Sequence, residues 1–356
     1  MEKYTLIITE KPYAAQRIAR ALDLKEKPQR IEEQNVPYFV AKRNKKIVVV
    51  PAVGHLYTIM QADKGRRDYP VFNFKWVPRH VAERKATYIR NWVEVISRLA
   101  ENASEFIDAC DYDIEGSIIG YSILRYACAG KENMARRMKY SALTKGELEK
   151  AYEKPLTHLD FALIEAGLAR HEVDWLYGVN LSRALTLAAK RWSGRYLTLS
   201  TGRVQGPTLR FLVAREREIG CYVPTPYWSI HAKVKVEGEF FEALYERGSI
   251  ERKADADAIL QTCKGKSGVV EQVDLKRSKI APPIPFDSGA LQVEAYRLFG
   301  YSPRRTSDIA QRLYLDALIS YPRTSSQKLP PSIGYDAILR QLAKTKEHGK
   351  LARELL

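Results

Sequence analysis

Asp111-x-Asp113-x-Glu115 places three carboxylates within five residues, and a fourth acid, Glu10, is followed directly by Lys11. In an extended segment residues i and i+2 point the same way, so Asp111 and Asp113 can face one side of the chain. Carboxylates crowded together repel one another unless a cation lies among them. Mg2+, a hard ion that prefers oxygen ligands, removes that cost. Glu10, Asp111, Asp113 and Glu115 therefore form a candidate Mg2+ cluster suited to phosphodiester chemistry. A solvated acidic turn would have the same composition. What favours a site is where these residues stand in the chain.

The surrounding pattern supplies that position. YTLIIT at residues 4–9 is a short β-rich run with Glu10 at its carboxyl end. Pro12 then opens the helical pattern YAAQRIARALDL, in the first turn, where its missing N–H costs nothing. EFIDAC at residues 105–110 runs into DYDIEG and the helix SIIGYSILRYA. The acidic turn thus also follows a strand, and α/β sheets bind ligands beyond the carboxyl ends of their strands. KIVVVPAV at 46–53 is another apolar strand, followed by Gly54-His55-Leu56, and RNWVEVISRLA predicts an amphipathic helix around 90–100. Strands alternating with helices predict an α/β layer with a largely parallel sheet over residues 1–145. Long helices are expected over 146–222. A small β-rich segment is expected over 223–281, with strands in YWSIHAKVKV, EFFEALYE and SGVVEQVDL and a short helix near ADADAILQTC. Residues 282–356 return to helix. The fold class is a multidomain α/β and α+β chain, since 356 residues are too many for one simple core. Trp175, Trp192 and Trp228 are expected in the core.

Charge narrows the partner. Lys and Arg total 58 against 42 Asp and Glu, a net +16 that attracts polyanions, of which nucleic acid is the commonest. The four cysteines, Cys110, Cys128, Cys221 and Cys263, form no CxxC pair, so neither a zinc site nor a disulfide framework is expected. The opening MEKYTLIITEK is not a secretory signal, and no stretch approaches the ~20 apolar residues of a membrane span. A cytoplasmic, nucleoid-associated protein without membrane contact is expected. No ATP site is expected either: Gly265-Lys266-Ser267 has Leu260 where a phosphate-binding loop needs its first glycine.

Tyr321 differs from most of the 21 tyrosines in its company, Ile319-Ser320-Tyr321-Pro322-Arg323-Thr324-Ser325. A phenol, with a pKa of about 10, is a poor nucleophile at neutral pH. A cation two residues away, here Arg323, can stabilise both a phenolate and the charge developing on a phosphate. Thr324 and Ser325 offer hydroxyls to phosphate oxygens. The tripeptide alone does not separate a nucleophile from a packing residue.

The larger pattern is more specific. The DxDxE turn with Glu10-Lys11 resembles the Toprim domain, a Rossmann-like α/β fold found in topoisomerases, primases and some nucleases. PFDSGALQVEA followed by AQRLYLDALISYPRTSSQ resembles the nucleophile region of type IA DNA topoisomerases, in the archaeal topoisomerase I and topoisomerase III branch. TGRVQGPTLRFLVAREREI, ALIEAGLARHEVDWLYGVNLSRAL and VGHLY also match family segments, and together they span residues 4 to about 330. The resemblance implies the helical and small β-rich domains of the type IA toroid after the Toprim domain. It implies that Tyr321 attacks single-stranded DNA to form a 5′-phosphotyrosyl link, and that religation needs no ATP, so that negatively supercoiled DNA is relaxed. It implies that Lys11 and Arg323 support the scissile phosphate, and that Glu10 is a general acid/base or a water-mediated metal ligand. Asp111 and Asp113 would be the main Mg2+ ligands, with Glu115 contributing less. Arg170, Arg183, Arg203 and Gln205 would line the strand groove with Thr324 and Ser325, and His55 would contact DNA or hydrogen-bond in the core.

The sequence departs from the family in three places. Ser325 and Ser326 replace a common Asp-Ser ending after Thr324. His171 stands where bacterial members often have arginine. Family members continue well past residue 356, so the chain is expected to be an amino-terminal portion, completed by a carboxy-terminal portion or a complementary chain. Two other readings remain at this stage: another Toprim nuclease or primase with a structural Tyr321, and a DNA-binding module without activity.

Overall fold

The central strands of the first sheet bury side chains on both faces. In the computed structural model, which describes residues 3–63, 69–329 and 333–356, its order is β2-β3-β4-β1-β7-β8. The strands are β1 (Tyr4–Thr9), β2 (Gln29–Glu33), β3 (Val36–Lys42), β4 (Lys46–Pro51), β7 (Ala103–Asp108) and the two-residue β8 (Arg136–Arg137). β4, β1, β7 and β8 are parallel, as the alternating pattern predicts, while β2 and β3 add an antiparallel edge that was not foreseen. The β2–β3 turn places Gln34 and Asn35 at positive φ, the geometry of a tight hairpin turn.

Alternation along the strands divides the core into two layers. Leu6, Ile8, Val48, Val50 and Phe106 pack on one face with α3 (Ile89–Glu101) and α4 (Ile114–Ser122). Ile7, Ile47, Val49 and Ile107 pack on the other with α1 (Pro12–Leu22) and α5 (Lys145–Glu153). Between β4 and α3 lie a separate hairpin, β5 (Tyr57–Gln61) with β6 (Phe74–Pro78), and the short α2 (Arg79–Ala82).

The long helical pattern is one helix, α6 (Phe161–Ser193), capped by the Asp160 side chain on the Leu163 N–H and ended by Gly194 in the left-handed region. α6 packs closely on α4 because Gly167 carries no side chain. A Cβ there would stand 2.4 Å from Ile118.

The chain falls into two compact units, Met1–Arg203 with Pro283–Leu356, and Val204–Pro282. The second contains α7 (Gln205–Gly220), the hairpin β9 (His231–Val236) with β10 (Glu239–Leu244), and α8 (Lys253–Cys263). The SGVVEQVDL segment, read above as a strand, forms none: a β-prone sequence becomes a strand only where an edge pairs with it. The first unit ends in α9 (Ser288–Phe299), α10 (Pro303–Leu315), α11 (Tyr335–Leu342) and α12 (Gly349–Leu355). Trp192, expected in the core, is 92% exposed at the end of α6, and Trp175 and Trp228 are half-buried. Among the described residues no helix is long and apolar enough to cross a membrane.

Candidate active site

β1 and β7 are parallel neighbours, so the residues that follow them emerge at the same end of the sheet. Glu10 and Lys11 follow β1, and Asp111 and Asp113 follow β7. Asp113 caps α4, its Oδ1 accepting the Gly116 N–H at 2.7 Å. The turn is tight enough that a Cβ on Gly116 would stand 2.1 Å from the Asp111 carbonyl oxygen. Arg137, fully buried on β8, holds this turn by donating to the main-chain carbonyls of Asp108, Cys110 and Asp111 at 3.1, 2.8 and 2.8 Å. No motif singled out Arg137, and the pair Arg136-Arg137 in MARRMKY carries no sequence signal for this task.

Lys11 Nζ lies between two acids, 2.9 Å from Glu10 Oε1 and 3.0 Å from Asp111 Oδ2. α10 and the segment after it bring two phenols to the same acids. Tyr314 donates to Asp111 Oδ1 at 3.1 Å, and Tyr321 donates to Asp113 Oδ2 at 2.5 Å. The Tyr321 N–H is tied to the Ser141 carbonyl at 2.7 Å, and the two rings meet edge to face with centroids 5.2 Å apart. Tyr314 is buried in the second core layer, with Leu315, Ala317, Ile319 and Tyr321 packed against it. The fold thus brings Tyr321 to a cluster about two hundred residues earlier in the chain. Sequence reasoning missed Tyr314, because its distance from the acids in sequence hides the contact.

The electrostatics follow from crowding. Burial and the charge of Asp111 raise the Glu10 carboxyl above its ordinary value, against the opposing charge of Lys11. For Lys11, burial is outweighed by Asp111 and Glu10, which raise its ammonium. Burial, the hydrogen bond to Asp113 and the charge of Asp111 push the Tyr321 phenol far above its ordinary value. Burial and Asp111 do the same to Tyr314. Both tyrosines are held as neutral donors in this arrangement. Glu10, Asp111 and Asp113 form a hard oxygen donor set whose mutual repulsion a divalent cation would relieve, and this fits Mg2+.

Glu115 has other partners. Its Oε2 meets His55 Nε2 at 2.8 Å and His171 Nε2 at 3.3 Å, and its Oε1 meets Arg170 Nη2 at 2.7 Å. Burial would raise its carboxyl, but His55, His171 and Arg170 outweigh that and lower it. Burial lowers the His55 imidazole, against the pull of Glu115. The geometry brings Glu10, Lys11, Asp111, Asp113 and Tyr321 together and places Glu115 and His55 in a second cluster.

The remaining candidates are dispersed. Arg203 pairs with Asp174 through two contacts at 2.7 and 3.3 Å, and Arg170 also approaches Asp174 at 3.8 Å. Arg183 donates to Gln61 Oε1 at 2.9 Å. Gln205 is an exposed residue at the start of α7. Arg323 and Ser325 are exposed, and the Thr324 hydroxyl accepts the Ser326 N–H at 3.0 Å.

Known proteins share this arrangement of segments. Residues 158–356 match the family described as DNA topoisomerase, and residues 5–143 match the Toprim domain. DNA topoisomerase 1 of Pyrococcus horikoshii is 47% identical over 99% of this chain and 51% of its own length. DNA topoisomerase 1 of Methanothermobacter thermautotrophicus is 42% identical over 97% of this chain and 47% of its own. The solved structure of full-length topoisomerase I from Thermotoga maritima superposes with a TM-score of 0.65 at 26% identity, covering 96% of this chain and 53% of that one. The chain spans about half the length of the curated relatives it matches. A Toprim fold, followed in order by the segments that define the second match, leaves one assignment: the chain belongs to the type IA DNA topoisomerase family.

Proposed function

We propose that this chain carries the DNA-cleavage centre of a type IA topoisomerase and that Tyr321 is its nucleophile. The observation that supports this most is the hydrogen bond from the Tyr321 hydroxyl to Asp113, next to Glu10, Lys11 and Asp111. Tyr321 Oη bonds to phosphorus in single-stranded DNA and its proton passes to Asp113. The bond from phosphorus to the 3′-oxygen breaks, and that oxygen takes a proton from Glu10, whose raised carboxyl suits a proton donor. The products are a 5′-phosphotyrosyl link and a free 3′-hydroxyl. Religation is the reverse, and because the bond energy stays in the link it needs no ATP. In the full-length protein this cycle relaxes negatively supercoiled DNA.

A phenol surrounded by carboxylates does not ionise without added positive charge. Lys11 and Arg323 supply part of it at the phosphate. Mg2+, held by Asp111 and Asp113 when bound, with Glu10 reaching it only through water, would supply the rest as a Lewis acid on the phosphate oxygens. Arg170, Arg183 and Arg203 contact the strand together with Thr324 and Ser325. Arg170 and Arg203 exchange Asp174 for phosphate as they do so. Contacts of this kind give affinity with little sequence preference and steep salt dependence.

The test uses end-labelled single-stranded DNA with Mg2+. A denaturant-resistant protein–DNA adduct is expected, and Tyr321→Phe should abolish it. Hydrolysis without an adduct would make the chain a Toprim nuclease instead.

A further inference from the structure

We propose that His55, Glu115 and His171 form a site for a divalent transition-metal ion of the Zn2+ or Co2+ class, separate from the Glu10, Asp111 and Asp113 cluster. One nitrogen from each imidazole and one Glu115 oxygen all lie within 4.8 Å of one another. The two contacts to Glu115 Oε2 are 2.8 and 3.3 Å. Ligand atoms around a tetrahedral Zn2+ stand about 3.3 Å apart, given metal–ligand distances of about 2.0–2.1 Å. Small side-chain adjustments therefore open the cluster enough to admit the ion.

The backbone supports this geometry. His171 lies one helical turn after Gly167 on α6, and Glu115 lies one turn before Ile118 on α4. The close Gly167–Ile118 contact sets the spacing of the two helices where these side chains meet. His55 arrives from the loop after β4, and its ring lies 4.9 Å from that of His171. The Trp76 ring also lies near His171, with centroids 6.0 Å apart. All three ligands thus project from elements packed against one core.

The donor set chooses the metal. Imidazole suits Zn2+, Co2+ and Cu2+, whereas Mg2+ takes oxygen and keeps its water. The second Glu115 oxygen is buried and meets Arg170 at 2.7 Å without hydrogen-bond alignment, so it keeps acceptor capacity. A bound ion takes over from Arg170 as the cationic partner of Glu115 and ties the β4 loop, α4 and α6 to one another. The inference rests on this geometry alone and stands whether or not Tyr321 cleaves DNA.

The test is a Co2+ titration of the full chain in excess Mg2+, followed by visible d–d absorption. The exposed cysteines are first removed by Cys221→Ser and Cys263→Ser. One tightly bound Co2+ per chain is expected. Loss of either imidazole in His55→Gln or His171→Gln should weaken it by about 10- to 100-fold or more, and Glu10→Gln should leave it unchanged. In the unsubstituted chain, Zn2+ should shift the NMR resonances of His55 and His171, which keeps the test valid if a variant folds poorly. Several results would overturn the site. They are Co2+ absorption that survives loss of both imidazoles, its loss in Glu10→Gln, weak binding that excess Mg2+ displaces, or Zn2+ shifts confined to other histidines.

Discussion

Residues 111–115 feed two clusters that treat a carboxylate in opposite ways. Around Glu10, Asp111 and Asp113 the close groups are other acids, two phenols and one lysine, and the Glu10 carboxyl is raised. Around Glu115 they are two imidazoles and a guanidinium, and the carboxyl is lowered. The first arrangement sets one lysine against three carboxylates and is short of positive charge. In the second, Arg170 matches the charge of Glu115, and two imidazole nitrogens stand beside the same carboxylate. Two acids two residues apart can differ this much because Asp113 ends an extended segment and caps α4, while Glu115 lies inside its first turn and meets α6.

The largest test of this contrast is chemical. Asp113→Asn should lower adduct formation by about 100-fold or more, the range for loss of a general base. Glu115→Gln should lower it less than tenfold in the same labelled-DNA assay. Equal losses would break the distinction. The next test strikes both clusters through their shared turn. Gly116→Ala drives a Cβ against the Asp111 carbonyl and should destabilise the protein by about 1–3 kcal/mol in chemical denaturation, with the adduct lost as well. Metal dependence comes third. EDTA should abolish the adduct, Asp111→Asn should raise the Mg2+ concentration needed for half-maximal cleavage, and Glu115→Gln should leave that concentration unchanged.

The smallest effect is in stability against pH, measured in EDTA. The raised carboxyl of Glu10 binds its proton more tightly in the folded state, so its contribution falls as pH rises from about 4.5 through the folded value. Glu10→Gln should therefore be more stable than the parent at neutral pH. Glu115 has the opposite sign: its lowered carboxyl contributes above about 4.5 and loses that contribution as pH falls through the folded value. Glu115→Gln should be less stable at neutral pH, by about 1 kcal/mol or less because the group is partly exposed, and the gap should close in acid.

The parts of this structure legible in the sequence are those set by local pattern. The apolar runs of β1, β4 and β7 and the turns that follow them located Glu10, Asp111 and Asp113. The edge strand β2, QRIEE, has exposed polar residues and no apolar alternation to announce it. SGVVEQVDL had the composition of a strand but no partner. Trp192 had the composition of a core residue, yet it lies at the end of α6, where nothing packs over it. The second cluster was hidden because residues 55, 115 and 171 meet only through the α4–α6 contact that Gly167 permits. The DxDxE spacing suggested a single site with Glu115 in it. Helix geometry sends Glu115 to different neighbours.

Tyr314 and Tyr321 are more than a contact between two segments. Burying each ring contributes about 1.5–3 kcal/mol, so lifting this stretch off the sheet costs several kcal/mol, before its hydrogen bonds to Asp111, Asp113 and Ser141 are counted. A cost of several kcal/mol leaves a parted form in well under about 1% of molecules, at tenfold per 1.4 kcal/mol. Under the proposed function, a strand tethered through Tyr321 would travel with that stretch in the parted form, while the free 3′ end would stay beside Glu10. Return to the docked form would, under the same function, restore the two ends to the same place, and fidelity of rejoining would become a property of how well two aromatic rings fit their socket.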